Sequence, residues 1–161
     1  MTGAEAKTSS IERVRAALSA SGLALEAVEL DASTRTAQEA ADAIGCIVSQ
    51  IVKSLVFRGK ESDEAILVLA SGTNRVDEKR MAEVAGEALG RADADFVRSE
   101  TGFAIGGVAP VGHIKPVKTF IDRDLQQYAE IWAAAGKPNA VFRLTPDDLV
   151  ALTKGSVVQI C

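Results

Sequence analysis

The chain is poor in the residues on which the commonest reactive centres depend. Among 161 residues there are two cysteines, Cys46 and Cys161, and one histidine, His113. Two thiols so far apart make no disulfide framework and suit a reducing compartment. There is no C-x-x-C or H-E-x-x-H pattern, so a soft-ligand zinc site would have to recruit carboxylates, and neither a metal nor a cofactor is expected. The sequence has no G-x-G-x-x-G, Walker A loop or G-x-S-x-G elbow, which removes the best signals of nucleotide-binding folds and serine hydrolases. No apolar run approaches the ~20 residues that cross a bilayer. The start, "MTGAEAKTSSIERVRA", lacks the apolar region of a secretory signal, and a cytoplasmic protein is expected. Positive charge is also in deficit. A net charge of −4 argues against coating or specific binding of DNA, while leaving room for a local basic cleft.

What is present is the composition of a globular protein: 47% hydrophobic and 25% charged residues. The length suits one domain over residues 1–161, large enough to hold a core without disulfides or a structural metal. Residues 1–8 are small and polar and are expected to fray.

Helix signals recur along the chain. "SSIERVRAALSASG" and "TAQEAADAIG" read as helices, with capping boxes of Ser9 with Glu12 and Thr36 with Glu39, and Gly22 and Gly45 stop them. "DEKRMAEVAG" is a helix with Asp77 as its cap and Gly86 as its stop, and "DADFVRSETG" reads as a further short helix. In "TPDDLVALTKG", Thr145 is the cap, Pro146 takes the first turn and Gly155 is the stop. Strands are expected at "LEAVEL", "QIVKSLVF", "EAILVLAS", "VKTFID", "YAEIW", "AVFRL" and "VVQI". The second and third are nearly continuous apolar runs, which implies strands covered on both faces. Neighbouring strands lie too close for regular crossover helices. The fold class is therefore α+β, with a mixed, mainly antiparallel sheet surrounded by helices.

Few residues offer chemistry. Lys53 interrupts the apolar run "IVKSLVF". Either its ammonium snorkels to water or it is a fixed cation in a cleft, aimed at a carbonyl or phosphate oxygen, with a pKa lowered by desolvation. "FAIGGVAPVGHIK" (103–115) holds Gly106, Gly107, Pro110, Gly112 and His113. It is either ordinary turn punctuation or backbone cleared of side chains, so that amide N–H groups reach a substrate. Thr101 and Gly102 stand at its entrance. Asp122 either caps a short helical turn or is functional, hydrogen-bonding substrate or orienting Lys53. A Cys46–His113–Asp122 constellation is conceivable, but no spacing supports it.

Taken in order, "QIVKSLVF", "LVLASGTNRVDEKRMAEVAG", "TGFAIGGVAPVGH", "TFIDRDL" and "LTPDDLVAL" resemble the YbaK/ProX family, free-standing relatives of the editing domain inserted in bacterial prolyl-tRNA synthetases. The resemblance runs from about Thr36 to Val158. It implies a barrel-like α+β sheet and hydrolysis of mischarged aminoacyl-tRNA, most often tRNA for proline, with a prolyl-tRNA synthetase as a conceivable partner. It places the family lysine at Lys53, the glycine–proline loop at Gly106, Gly107, Pro110 and Gly112, and the acidic residue at Asp122. It implies water attack on the ester, assisted by the terminal ribose hydroxyl, without a protein nucleophile or metal. Lys53, Gly106 and Gly107 become the catalytic candidates, and Thr101, Pro110, Gly112, His113 and Asp122 the substrate-binding ones.

The chain departs from the cysteine-specific type. Ala109 replaces serine before the loop proline, and Ala134–Lys137 reads "AAGK" in place of Ser-Gly-Gly-Lys. "GGVAPVGH" is similar to the subgroups that remove alanine or other small amino acids. Lys60, Arg75, Lys79, Lys115 and Lys118 form either a basic rim or solvated surface charge. The alternatives to a trans-editing deacylase are a non-catalytic tRNA-binding or regulatory module of the same fold, and a hydrolase of free small esters.

Overall fold

The computed structural model describes residues 9–31 and 36–161, so the expected fraying of residues 1–8 lies outside the described residues. In chain order the elements are α1 (Ser10–Ser21), β1 (Ala27–Glu29), α2 (Ala37–Ile44), β2 (Val52–Gly59), β3 (Ala65–Ser71), α3 (Glu78–Ala85), β4 (Leu89–Arg91), α4 (Ala94–Thr101), β5 (Lys118–Asp122), β6 (Ile131–Ala134), β7 (Ala140–Leu144), α5 (Pro146–Thr153) and β8 (Ser156–Val158). Two 3-10 turns, Val48–Gln50 and Arg123–Gln127, precede β2 and follow β5.

The helices begin where their caps direct. Ser9 accepts from the Glu12 N–H, Thr36 and Glu39 cap each other reciprocally, and Asp77, Asp93 and Thr145 cap α3, α4 and α5. Such a cap contributes about 1 kcal/mol. Left-handed glycines end α1, α2, α3 and α4. The end of α5 differs from expectation. Lys154, at φ 55°, is its left-handed residue, and Gly155 stands one position beyond, its N–H bonded to the Thr153 hydroxyl at 3.0 Å.

The strands form two sheets. Five strands run β4-β2-β3-β5-β8 and three run β1-β7-β6. β2–β3, β2–β4, β1–β7 and β6–β7 pair antiparallel, whereas β3–β5 and β5–β8 are parallel. The mixed, mainly antiparallel character stands, but the sheet is not a closed barrel. Among the described residues the one β-bridge between the two sheets is parallel, between Ile51 and Trp132. β4 was not expected. It is three residues long with glycine at its centre, too short for any alternation to show, and its pairing with Phe57–Gly59 of β2 holds it in place.

β3 is buried at every position because it is the middle strand of five and is covered on both faces. Its alternation divides the core: Leu67 and Leu69 enter the larger cluster with Phe103, Ile121 and Phe142, while Ile66, Val68 and Ala70 pack with Met81, Leu89 and Ile160. Each such aliphatic side chain contributes about 1.5–3 kcal/mol by leaving water. β2 departs from the two-sided burial expected of it, since Lys53–Phe57 are only half-buried. Beyond the Ile51–Trp132 bridge, a cavity separates this part of β2 from the three-stranded sheet.

Candidate active site

That cavity has a volume of about 370 Å³, within the range of small-molecule sites. β2 supplies Val52–Leu55 to its wall, the loop after α4 supplies Ile105, Gly106 and Val108, and β6 and β7 supply Trp132, Ala133, Ala134, Ala140 and Val141. Lys53 and Gly106, 53 positions apart in sequence, therefore face one space.

The Lys53 ammonium is held in position. Its Nζ donates to the main-chain oxygen of Asn74 at 2.7 Å. The Asn74 side-chain amide donates to Asp122 Oδ2 and Asp124 Oδ2, both at 2.8 Å. Asp122 is 1% exposed. It also accepts from the N–H groups of Ser71 and Asp124, each at 2.9 Å. It caps the 3-10 turn that begins at Arg123 and, through Asn74, braces the loop that carries the lysine's acceptor. Burial pushes the Lys53 pKa below the ordinary lysine value. The nearby Arg75 charge pushes the same way, and Asp122 opposes both. Lys53 and Arg75 are thus neighbouring cations, and neither forms an ion pair among the described residues.

The glycine segment divides in two. Gly106 lines the Lys53 cavity at φ 93°, with open space where a Cβ would stand. The N–H groups of Gly106 and Val108 have no intramolecular acceptor among the described residues. Gly107 differs: its N–H is bonded to Ala104 O at 3.0 Å, and a Cβ there would lie 2.8 Å from Lys137 Cα. Gly107 lets the loop lie against the β6–β7 turn, but its amide is already bonded. Pro110, Gly112 and His113 line a different cavity of about 770 Å³, between α1, residues 110–117 and the end of α5. Thr101 lines neither cavity. Its hydroxyl, wholly buried, donates to Val97 O at 2.7 Å and accepts from Phe103 N–H at 3.1 Å.

His113 Nε2 lies 2.7 Å from Ala109 O. A carbonyl only accepts, so Nε2 carries the proton. Burial holds the imidazole pKa below its usual value, with the Arg13 charge acting the same way and the Ala109 bond opposing. Cys46 packs beside Ala40, Ala41 and Ile51, and its thiol pKa is raised by burial. No contact among the described residues joins it to His113 or Asp122.

Of the five basic residues, Lys115 pairs with Glu100 and Lys118 donates to Ala85 O; of the other three, Lys60, Arg75 and Lys79, it is Arg75 that is electrostatically coupled to Lys53. Several important residues gave no signal in sequence. Arg13 of α1 donates to Gly102 O at 2.5 Å and Gly112 O at 3.4 Å, pinning both ends of the glycine segment, and stacks 4.6 Å from the Phe103 ring centre. Asn74 and Ser54 were also missed. Ser54 Oγ is the only buried side-chain polar atom among the described residues without a hydrogen-bond partner, a state that costs ~1–3 kcal/mol.

The model of the aminoacyl-tRNA editing domain matches residues 31–152, most of the chain and all of the Lys53 cavity. The chain belongs to the aminoacyl-tRNA editing domain family. This editing domain is 32% identical over 137 residues to the uncharacterised protein YwhH of Bacillus subtilis, covering 84% of this chain and 87% of YwhH. It is 30% identical over 129 residues to EbsC of Enterococcus faecalis, described as a candidate Cys-tRNA(Pro)/Cys-tRNA(Cys) deacylase, with 78% and 76% coverage. Among solved structures it is similar to a candidate trans-editing enzyme for prolyl-tRNA synthetase. The TM-score is 0.89 at 50% identity, with 95% of this chain and 97% of that one superposed.

Proposed function

We propose that this editing domain is a trans-acting hydrolase that deacylates mischarged aminoacyl-tRNA, tRNA for proline carrying a small wrong amino acid such as alanine. The observation that carries the proposal is the shared cavity of Lys53 and Gly106. A nucleophilic centre is not required for this reaction. Water attacks the ester carbonyl, negative charge gathers on its oxygen, and the bond to the terminal ribose oxygen breaks to give free amino acid and tRNA. Donors placed in advance where that charge develops, and a substrate held in one orientation, supply most of the rate gain.

In this reading the N–H groups of Gly106 and Val108 receive the developing oxyanion. Lys53, with Arg75 beside it, holds the substrate's carbonyl or terminal phosphate. Asp122 acts through Asn74 on Lys53. Gly107, Pro110, Gly112, His113 and Thr101 act indirectly, by fixing the course of the loop. The Ala-rich wall of β6 and β7 favours small side chains, and Ala109 and Ala134 remove the polar groups of the cysteine-specific type. The resemblance to synthetase editing domains supports a cytoplasmic role beside a prolyl-tRNA synthetase.

Deacylation is measured on tRNA for proline charged in turn with alanine, serine, cysteine, threonine and proline. Release of a small non-cognate amino acid, with prolyl-tRNA spared, is expected. No release from any of them, alongside measurable tRNA binding, would move the assignment to a tRNA-binding module.

A further inference from the structure

The glycine segment is a closed loop. The Ile114 N–H donates to Thr101 O at 3.2 Å, which brings the two ends of residues 102–113 together at a neck, as in a compact Ω-loop. What holds the neck comes from far away in the chain. Arg13 of α1 donates from Nη2 to Gly102 O at 2.5 Å and from Nε to Gly112 O at 3.4 Å, one carbonyl on each side. Its guanidinium also stands 4.6 Å from the ring centre of Phe103. Close approach is possible because both carbonyls belong to glycines. A Cβ on Gly102 would lie 2.7 Å from Arg13 Nη2, and one on Gly112 would lie 3.3 Å from Arg13 O. At these two positions the main chain is cleared for an arginine of the same molecule.

No carboxylate pairs with Arg13 among the described residues, so this half-buried charge is spent on the loop. The bonds from Gly107 N–H to Ala104 O and from His113 to Ala109 O run within the loop; Arg13 ties it to another element. That element, α1, lies before residue 31, where the match to the editing-domain model begins. Arg13 lines neither cavity. Resting on the deacylase reading above, we propose that Arg13 is a positioning residue: it fixes the neck of the loop and thereby holds the free N–H groups of Gly106 and Val108 where the oxyanion develops. Donors of this kind act on charge that exists only in the transition state, so loosening them lowers kcat and leaves KM nearly unchanged.

The test measures kcat and KM for alanyl-tRNA(Pro) in the wild type, Arg13→Ala and Arg13→Lys, each well below its own melting temperature so that every rate belongs to folded protein. Arg13→Ala is expected to lose about 10²-fold in kcat, the cost of misplacing a reacting geometry by about 1 Å, with KM within about threefold of wild type. Lysine keeps the charge but replaces two separated donors by one point, so Arg13→Lys is expected to stay folded and still lose at least about tenfold in kcat. It decides the matter if the alanine variant does not fold. The proposal is overturned if either folded variant keeps the wild-type kcat, or if the loss lies in KM alone. A second arm needs no activity: ¹⁵N relaxation of the Gly106 and Val108 amides. Order parameters of about 0.85 are expected in the wild type and below about 0.6 in a folded Arg13 variant; equal values in the two overturn the proposal. If the wild type deacylates none of the five charged tRNAs, the deacylase reading fails, and the relaxation arm still decides whether Arg13 holds the loop.

Discussion

The Lys53 ammonium is anchored 2.7 Å from the main-chain oxygen of Asn74, and the side chain of that same asparagine bridges two carboxylates, Asp122 and Asp124. The cation is thereby positioned by a loop and not by an ion pair. Its charge stays available to a ligand, while the chain around it is held from behind by a buried acid.

Removing the cation tests its role directly. Lys53→Ala is expected to lower kcat/KM for deacylation by about 10²–10³, the usual consequence of losing one preorganised electrostatic donor. Circular dichroism and the melting temperature are expected to change little, because the side chain is only half-buried. An unchanged rate would overturn the mechanism even if the activity were found.

The alkaline arm of the pH–rate profile carries the same information. Lys53 titrates below the ordinary lysine value. If the ammonium is the working form, the rate, corrected for uncatalysed ester hydrolysis, falls as pH rises through that lowered pKa. Lys53→Arg keeps its charge at every accessible pH, so it is expected to lose this alkaline arm while working more slowly. An arm that persists in the arginine variant would belong to another group.

Asp122→Ala should act first on stability. The substitution leaves the Ser71 N–H and one Asn74 contact without their acceptor in a buried setting. A loss of about 2–4 kcal/mol is expected from chemical denaturation. Asp122→Asn, which keeps one acceptor oxygen, should lose less.

The two adjacent glycines are expected to fail differently. At Gly107 a Cβ meets Lys137 Cα, main chain that cannot swing aside. Gly107→Ala should cost about 1–3 kcal/mol through overpacking and displace the loop. At Gly106 there is room, but φ is 93°. Gly106→Ala should cost about 1–2 kcal/mol in backbone strain and lower the rate, as the adjoining N–H groups shift. Denaturation midpoints and deacylation rates on the two variants separate the effects.

His113 makes stability pH-dependent in a definite direction. Its folded pKa is below the unfolded value, so as pH falls the unfolded chain takes up the proton first. Its contribution to stability is complete above the ordinary imidazole pKa and declines as pH drops from there towards the folded pKa. Urea midpoints between pH 8 and 5 should fall less steeply for His113→Gln, whose amide can still donate to Ala109 O.

How far the sequence reached depended on the range of the interaction. The Thr36–Glu39 box, the Asp77 cap and the glycine stops were legible because each involves groups within a few residues of one another, where residue type alone dictates the hydrogen bond. The β2–β3 hairpin was legible for a related reason: two apolar runs lay on either side of a short polar loop. Lys53 stood out as a charge in an apolar strand. The error at Gly155 came from the same local signals, since Lys154 adopts the left-handed conformation that residue type assigned to its neighbour.

What the sequence by itself determined, then, is an α+β chain with its helix ends marked, a lone cation in a strand, and a glycine segment cleared of side chains. Only the tertiary structure decided which of these face one another. It joined Lys53 to Gly106 across a cavity and gave Pro110, Gly112 and His113 to a second one. It bonded the Gly107 amide internally and left the Ser54 hydroxyl with nothing to bond. The physical reason is separation along the chain. These relationships depend on how two sheets, joined at Ile51 and Trp132, sit against each other, and that placement comes from the packing of the whole core, for which no short stretch of residues carries a signal.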